Sequence, residues 1–161
     1  MKTLQRMILT WAIVMVSTIA TMPNAHAKDQ AAVVIIANGD FYAVNTQLKK
    51  RSLKRRSKVY VGEKLVTGKN SRAQVRFIDG AVLSLRPETE LKIHKYNYGK
   101  TKASEGSWMS LLKGGFRTIT GAIGKKKYKV TTSMATIGIR GTHYEAVIHN
   151  EQLFVALYDG G

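Results

Sequence analysis

Short apolar alternation is the feature that most constrains the fold of this chain. Residues 33–36 form a first β-branched apolar stretch, and beyond residue 58 apolar residues occupy every second position in short stretches that turn signals separate about every 10 residues. A strand presents alternate side chains to one face, so this period is typical of half-buried strands. The pattern predicts an all-β, single-domain protein.

The first predicted strand covers residues 33–36, and Asn38-Gly39-Asp40 provides a turn after it. We predict residues 41–44 as its hairpin partner. Residues 96–106 are polar and contain glycine, which predicts an excursion between strands. The later strands are predicted at 91–93, 107–112, 116–120, 128–131, 144–148 and 153–158.

Asp79-Gly80 marks a hairpin whose register depends on the length of its loop. A two-residue loop would place the apolar residues of the two strands on opposite faces of the sheet, whereas a three-residue loop with Gly80 in the left-handed conformation places them on one face. We therefore predict the three-residue loop. The predicted pairs are Phe77 with Ala81, Val75 with Leu83, and Ala73 with Leu85.

The N-terminal 27 residues have the three parts of a secretory signal peptide. Lys2 and Arg6 form a basic head, an apolar run of about 14 residues follows, and the segment ends on Ala25-His26-Ala27. A membrane-spanning helix needs about 20 apolar residues. The sequence therefore predicts cleavage after Ala27, an exported domain at 28–161, and no stable membrane span after cleavage.

The exported part carries 24 basic and 10 acidic residues, a net charge of +14. Export makes genomic nucleic acid an unexpected partner and points to anionic envelope polymers, phospholipid head groups or other proteins. The chain has no cysteine, which excludes disulfides, thiol nucleophiles and lipidated cysteine. We expect a periplasmic or secreted protein.

Several sequence blocks resemble the FecR domain family. They are GEKLVTG at 62–68, NSRAQVRFIDG at 70–80, LSLRPETEL at 83–91, LLKGG at 111–115 and ATIGIRGTHY at 135–144, and the resemblance spans about residues 33–160. It implies a solenoid-like or sandwich-like extracytoplasmic module of mostly antiparallel strands that binds rather than catalyses. It also assigns structural roles to Gly62, Thr67, Gly68, Asp79, Gly80, Gly138, Arg140, Gly141 and Thr142.

Three departures from the family pattern qualify this resemblance. Glu63 stands where the family usually has aspartate, which keeps the carboxylate. The family continues with one more strand beyond the final glycine, so here either that strand is missing or the domain closes differently. Regulators of this family carry a cytoplasmic sigma-factor-binding part, and the six residues before the apolar run are too few for one. We therefore expect the exported domain without anti-sigma activity.

Two lysine- and arginine-rich segments are the candidate ligand-binding sites. Residues 49–58 hold seven basic residues in ten, which predicts a solvated loop or flap; an anion-binding patch and a mobile loop without a ligand are both open interpretations. The second segment surrounds Tyr128, and the two segments either combine in one positive surface or act as unrelated loops. The candidate residues are Lys49, Lys50, Arg51, Lys54, Arg55, Arg56, Lys58, Lys125, Lys126, Lys127 and Lys129.

No pattern in the sequence indicates catalysis, a metal site or a cofactor. His143 and His149 share strand parity but would lie about 20 Å apart. Glu88 and Glu90 share a predicted strand face, which does not suit the two carboxylates of a glycosidase. Arg140 lies between glycines and is predicted to brace neighbouring turns, for example through Asp79, although ligand recognition is the alternative.

These observations predict a non-enzymatic binding module of the bacterial cell envelope. Its basic segments would contact an anionic envelope polymer or a protein partner. The alternative is an accessory of iron-transport or envelope-stress signalling that acts through protein contact in the periplasm. The sequence identifies neither the partner nor the oligomeric state.

Overall fold

A computed structural model describes residues 29–99, 101–123, 127–139 and 143–159. The predicted signal peptide and its cleavage site after Ala27 lie outside these residues. The described ranges contain fourteen strands, which confirms the all-β prediction. No helix in the described part of the chain is long and apolar enough to cross a membrane.

The strands form two seven-stranded sheets. Sheet A has the order β14-β13-β10-β7-β6-β1-β4 and is antiparallel throughout. Its strands are β1 (Gln30–Asn38), β4 (Lys58–Tyr60), β6 (Arg72–Phe77), β7 (Val82–Leu85), β10 (Gly115–Ile119), β13 (His143–His149) and β14 (Gln152–Asp159).

Sheet B has the order β12-β11-β9-β8-β5-β2-β3 and contains one parallel pair, β9 with β11. Its strands are β2 (Phe41–Val44), β3 (Lys50–Ser52), β5 (Lys64–Thr67), β8 (Glu90–Asn97), β9 (Gly106–Lys113), β11 (Tyr128–Thr131) and β12 (Thr136–Ile139). The chain crosses between the sheets after every one or two strands.

One hydrophobic core lies between the two sheets and makes the architecture sandwich-like. Leu83 and Phe116 from sheet A and Leu91 and Leu111 from sheet B belong to the same buried cluster. Each such side chain contributes about 1.5–3 kcal/mol when it is removed from water. The burial of every second residue along β6 and β7 is the alternation that the sequence displays.

The β6–β7 hairpin has the predicted register. Val75 pairs with Leu83 and Ala73 with Leu85, while Phe77 donates its backbone NH to the Ala81 carbonyl at 2.8 Å. Gly80 has a φ of +88°, in the left-handed region. The three-residue loop is therefore confirmed, because only this register directs both apolar faces into one core.

The predicted hairpin between residues 33–36 and 41–44 is wrong. The turn at 38–40 is present, but β1 pairs with β4 and β6 in sheet A, whereas β2 pairs with β3 and β5 in sheet B. Gly39, with a φ of +75°, directs the chain from one sheet to the other. Both strands bury apolar side chains, and placing the two strands in opposite sheets lets both sets of side chains pack into the same core.

The predicted excursion at 96–106 begins too early. Strand β8 continues to Asn97, and Tyr96 is buried in the core with its ring stacked on Phe77 at a centroid distance of 4.1 Å. A bulge between Ile93 and Lys95 shifts the alternation, which places Tyr96 on the inward face. Local alternation could not reveal that shift.

Candidate functional site

The basic run 49–58 is an ordered crossing between the two sheets rather than a flap. Strand β3 ends sheet B, β4 ends sheet A, and the turn between them is held by Val34, whose backbone exchanges hydrogen bonds of 2.9 Å with Arg56 and Ser57. Leu53 is buried in the core and anchors the segment. The prediction of a solvated loop is wrong about the backbone, because one apolar residue suffices to dock the crossing.

Most basic side chains of this crossing do face solvent. We call the exposed set the basic edge, and it contains Lys49, Lys50, Lys54, Arg55, Arg56 and Lys58. The ammonium of Lys50 lies 3.6 Å from the centroid of the Tyr42 ring, a cation–π contact. The edge therefore presents six positive charges on a backbone of defined geometry.

Arg51 does not belong to the basic edge. Its Nε and Nη2 donate to the two carboxylate oxygens of Glu63 at 3.0 and 2.7 Å, and Nη2 also donates to the Lys58 carbonyl at 2.6 Å. The Glu63 side chain is 3% exposed and also accepts from the Tyr60 backbone NH at 2.9 Å. Arg51, a predicted ligand-binding residue, therefore neutralises a buried carboxylate instead.

The second basic segment lies far from the basic edge. Lys125 and Lys126 fall outside the described residues. Lys127 contacts Glu105 at 3.8 Å and donates to the Lys102 carbonyl, and Lys129 lies on β11 with its ammonium 5.2 Å from the Trp108 ring centroid. Four strands of sheet B, β9, β8, β5 and β2, separate β11 from β3. The described lysines of this segment are thus about 24 Å from the basic edge across the sheet and form no joint surface with it.

Three residues of the family pattern, Gly62, Thr67 and Gly68, lie in or directly beside turns that join the sheets. Thr67 donates its hydroxyl to the Arg86 carbonyl at 2.6 Å and accepts from the Thr89 backbone NH at 3.0 Å. Gly68 donates to the Asp40 carbonyl at 2.9 Å. Gly62 has a φ of +86° at the turn before β5.

Of the pattern residues at 138–142, the structure describes Gly138 alone, on the strand at one end of sheet B. Gly138 lies on β12 with no atom within 4 Å of its Cβ position. Arg140, Gly141 and Thr142 lie outside the described residues, so the predicted brace from Arg140 to Asp79 has no structural description.

Asp79 is a buried carboxylate with a full set of hydrogen-bond donors. Tyr96 donates its hydroxyl to Oδ1 at 2.7 Å, the Tyr128 hydroxyl donates to Oδ2, and backbone NH groups of Ala81 and Ile123 donate at 3.1 and 3.4 Å. Burial, followed by the nearby Asp79 carboxylate, raises the pKa of Tyr96 well above its ordinary value. The tyrosines stay protonated and donate, so this network joins the β6–β7 loop to sheet B.

The remaining titratable candidates form structural contacts. His94 stacks on Trp108 at 4.3 Å, and burial together with Lys92 lowers its pKa. His143 accepts a hydrogen bond from Arg117, and His149 is exposed. Among the described residues, no group of three or more His, Cys, Asp or Glu side chains is placed to hold a metal ion.

Glu88 and Glu90 do not share a strand face, contrary to the prediction. Glu88 lies in a turn with a φ of +52° and contacts Lys113 at 3.5 Å, whereas Glu90 begins β8 and pairs with Lys64 at 2.7 Å. Glu88 therefore precedes β8 and does not belong to the strand face that carries Glu90.

A groove on the outer face of sheet A was not expected from the sequence. It has a volume of about 610 Å³ and is formed by outward side chains of β1, β6, β7, β10, β13 and β14. We call it the arginine groove, defined by Arg72, Gln74, Ser84, Arg86 and Arg117. Strand register builds it, since Gln74 pairs with Ser84, Ser84 with Arg117, and Arg117 with Glu145.

Comparison with known proteins adds a family assignment. A family model described as FecR protein matches residues 63–161. Among curated proteins, none matches the sequence significantly. A solved structure described as "Cell surface anchoring domain" aligns with a TM-score of 0.42 and 19% sequence identity, over 45% of this chain and 99% of that chain. The family match begins after β4, so the basic edge precedes the matched residues although its strands belong to the same two sheets.

Proposed function

Because this chain belongs to the FecR protein family, as its sequence blocks predicted, we propose that it is a non-enzymatic, exported binding module of the cell envelope. In this proposal the signal peptide is cleaved after Ala27 and the domain acts in the periplasm or outside the cell. Its partner is an anionic envelope polymer rather than genomic nucleic acid, and the basic edge contacts it.

The observation that carries the proposal is the concentration of unneutralised charge at the basic edge. Six exposed basic side chains occur within ten residues, none of them forms an ion pair among the described residues, and the Glu63 carboxylate is occupied by Arg51. Such a set repels itself and attracts a dense polyanion, with a gain that depends steeply on ionic strength. Lysine on edge strands also prevents strand pairing with other chains, which is a second, structural role for the same residues.

The hydrogen bonds of the two buried carboxylates support the proposal that the protein is not an enzyme. Asp79 is held by two tyrosines and two backbone NH groups, and Glu63 by Arg51 and Tyr60. Both carboxylates have their hydrogen-bonding capacity occupied inside the protein. Within the described part of the chain, neither carboxylate lines the surface depressions on the two sheets, where a general acid or base would meet a substrate.

A second candidate function, signalling through protein contact, is favoured by strand β14. This strand ends sheet A, none of its residues is buried, and Phe154, Val155, Leu157 and Tyr158 are each about half exposed. An apolar edge strand is suited to accept a strand from a partner protein. In this alternative the chain is an accessory of iron-transport or envelope-stress signalling.

Retention on isolated envelope material across a salt series tests the first function. We expect the parent protein to bind at low salt and to lose about tenfold or more in affinity between 50 and 200 mM salt. Replacing Lys54, Arg55 and Arg56 by Glu should abolish retention, because it reverses half of the charges of the basic edge. These side chains are exposed, so thermal stability should change little.

A matched variant carries the same change of charge elsewhere. Replacing the exposed Lys69, Lys95 and Lys102 by Glu should leave most of the retention intact. Equal retention of the parent and the basic-edge variant at every salt concentration would contradict the proposal and favour protein contact through β14.

A further inference from the structure

We propose that the arginine groove on the outer face of sheet A is a binding site for the carboxylates of an acidic glycan. The inference rests on the proposed function, because it assumes an envelope polymer as the partner. It concerns a surface distinct from the basic edge and adds the chemistry that would distinguish one polymer from another.

The charges in the groove are unbalanced. Its lining contains Arg72, Arg86 and Arg117 but a single carboxylate, Glu145. Arg86 Nε donates to Glu145 Oε1 at 2.6 Å, and the Tyr158 hydroxyl donates to Oε2 at 2.9 Å, so that carboxylate is already occupied. Arg72 and Arg117 have no carboxylate partner among the described residues.

Arg117 is held in place by neighbours that carry no negative charge. Its Nε donates to His143 Nε2 at 2.7 Å, and its guanidinium carbon lies 4.4 Å from the centroid of the Tyr158 ring. These contacts orient the guanidinium plane and leave its terminal nitrogens without a described partner. A planar, oriented guanidinium suits bidentate binding of a carboxylate.

Hydrogen-bonding groups suitable for sugar hydroxyls lie between the two arginines. Gln74 Nε2 donates to Ser84 Oγ at 2.9 Å, which leaves the hydroxyl hydrogen of Ser84 to donate to another acceptor. Asn38 adds a side-chain amide, and Ile36 and Pro87 add apolar surface to the lining. A chain of sugars with carboxylates offers both the anions and the hydroxyls that such a lining would bind.

The shape of the groove favours a polymer held by side chains. It continues into a second depression of about 340 Å³ that shares Gln74, Ser84 and Arg117. From β1 to β14 it crosses five strand spacings, about 24 Å. Its floor strands β6, β7 and β10 are each paired on both sides, so their backbone groups are occupied and a peptide strand cannot be added here.

Calorimetric titration of the purified protein with short oligogalacturonate tests the inference. We expect binding to the parent, and a loss of about tenfold for each of Arg72→Gln and Arg117→Gln, because each removes a charge-assisted bidentate contact. The same oligosaccharide with its carboxylates reduced to alcohols should not bind. Arg72 has no described partner, so its variant should fold normally.

Two further variants separate recognition from general charge. Arg72→Lys combined with Arg117→Lys keeps the charge but loses bidentate geometry, and we expect it to lose most of the affinity. Lys95→Gln combined with Lys102→Gln removes two exposed charges that belong neither to the groove nor to the basic edge, and we expect less than about a threefold effect. If the double Arg-to-Lys variant binds like the parent, or if this control variant loses as much affinity as the groove variants, the assignment is overturned.

Comparing the affinities of different anionic polymers tests whether the groove is specific for an acidic glycan. Equal affinity for polyglutamate, or for inorganic polyphosphate, with the same response to the groove variants would overturn the glycan assignment. Envelope retention that depends on the basic edge but not on the groove would leave the proposed function intact and overturn this inference alone. Retention that depends on neither surface would contradict the proposed function.

Discussion

At the scale of single residues, basic side chains of the 49–58 crossing either neutralise a buried carboxylate or face solvent. Arg51 and Lys54 are close in sequence and equally basic, yet one lies against a buried carboxylate and the other faces solvent. The difference arises because β3 alternates its side chains, whereas Lys54 lies in the turn after β3, where the basic side chains are exposed. Composition alone could not separate them.

The buried ion pair predicts a large difference between two arginine substitutions. Arg51→Ala should lower the free energy of unfolding by about 1–3 kcal/mol, because it leaves the carboxylate of Glu63 buried without its cation. Arg55→Ala should change it by less than about 0.5 kcal/mol. Urea denaturation measures both, and equal stabilities of the two variants would show that the pair contributes nothing.

At the scale of elements, turn conformation determines how the strands meet. The β6–β7 hairpin was predictable because its apolar alternation, its Asp-Gly turn and its short loop are all local in sequence. The β1–β2 connection has a comparable local signal, an apolar β-branched run followed by Asn-Gly-Asp, yet it joins two different sheets. Local signals establish that a turn occurs there, whereas the core determines which strands pair.

Substitution of Gly80 tests the effect of backbone strain in the absence of steric crowding. Gly80→Val should destabilise the domain by about 1–2 kcal/mol, because valine is disfavoured at a φ of +88°. No atom lies within 4 Å of the Cβ position, so crowding does not contribute. The melting temperature, measured by circular dichroism, should fall.

Gly138→Val is the matched control for this substitution. Gly138 also has no atom within 4 Å of its Cβ position, but it lies on β12 without a positive φ. Its variant should melt close to the parent, because valine is favoured in strands. Similar melting of the Gly80 variant and the parent would contradict the left-handed turn.

At the scale of the whole molecule, the two ends of the sandwich differ in character. At one side of the sandwich, sheet B ends on β3 and sheet A ends on β4, and these strands carry the basic edge. At its opposite edge, sheet A ends on β14, which exposes apolar side chains. Charged edges resist pairing with other strands and apolar edges permit it. The molecule therefore carries an exposed basic edge and an exposed apolar edge at opposite sides.

Export is the prediction that belongs to the whole chain. Intact-mass measurement of the protein recovered from the envelope fraction should give a chain that begins at Lys28, because signal peptidase cleaves after small residues such as Ala27. Recovery of the form that still begins at Met1 would refute the signal-peptide assignment.

The candidate sites show which features of a site can be predicted from neighbouring residues in the sequence. Six of the seven basic residues at 49–58 are exposed, as their concentration indicated, because charged side chains remain in water unless they find a partner. The arginine groove was missed because Arg72 and Arg117 come to line one groove only through the pairing of β6 with β7 and of β7 with β10. Residues more than thirty positions apart carry no local sign of that pairing.

The amino-acid sequence by itself determined the all-β class, the family, the β6–β7 register and the basic character of the 49–58 crossing. All of these depend on short-range alternation, turn residues or charge density, which act over a few neighbouring positions. The tertiary structure decided which strands share a sheet, that Arg51 neutralises Glu63, and that Tyr96 and Tyr128 enclose Asp79. These outcomes depend on how two sheets bury one common core, and that is a property of the whole chain.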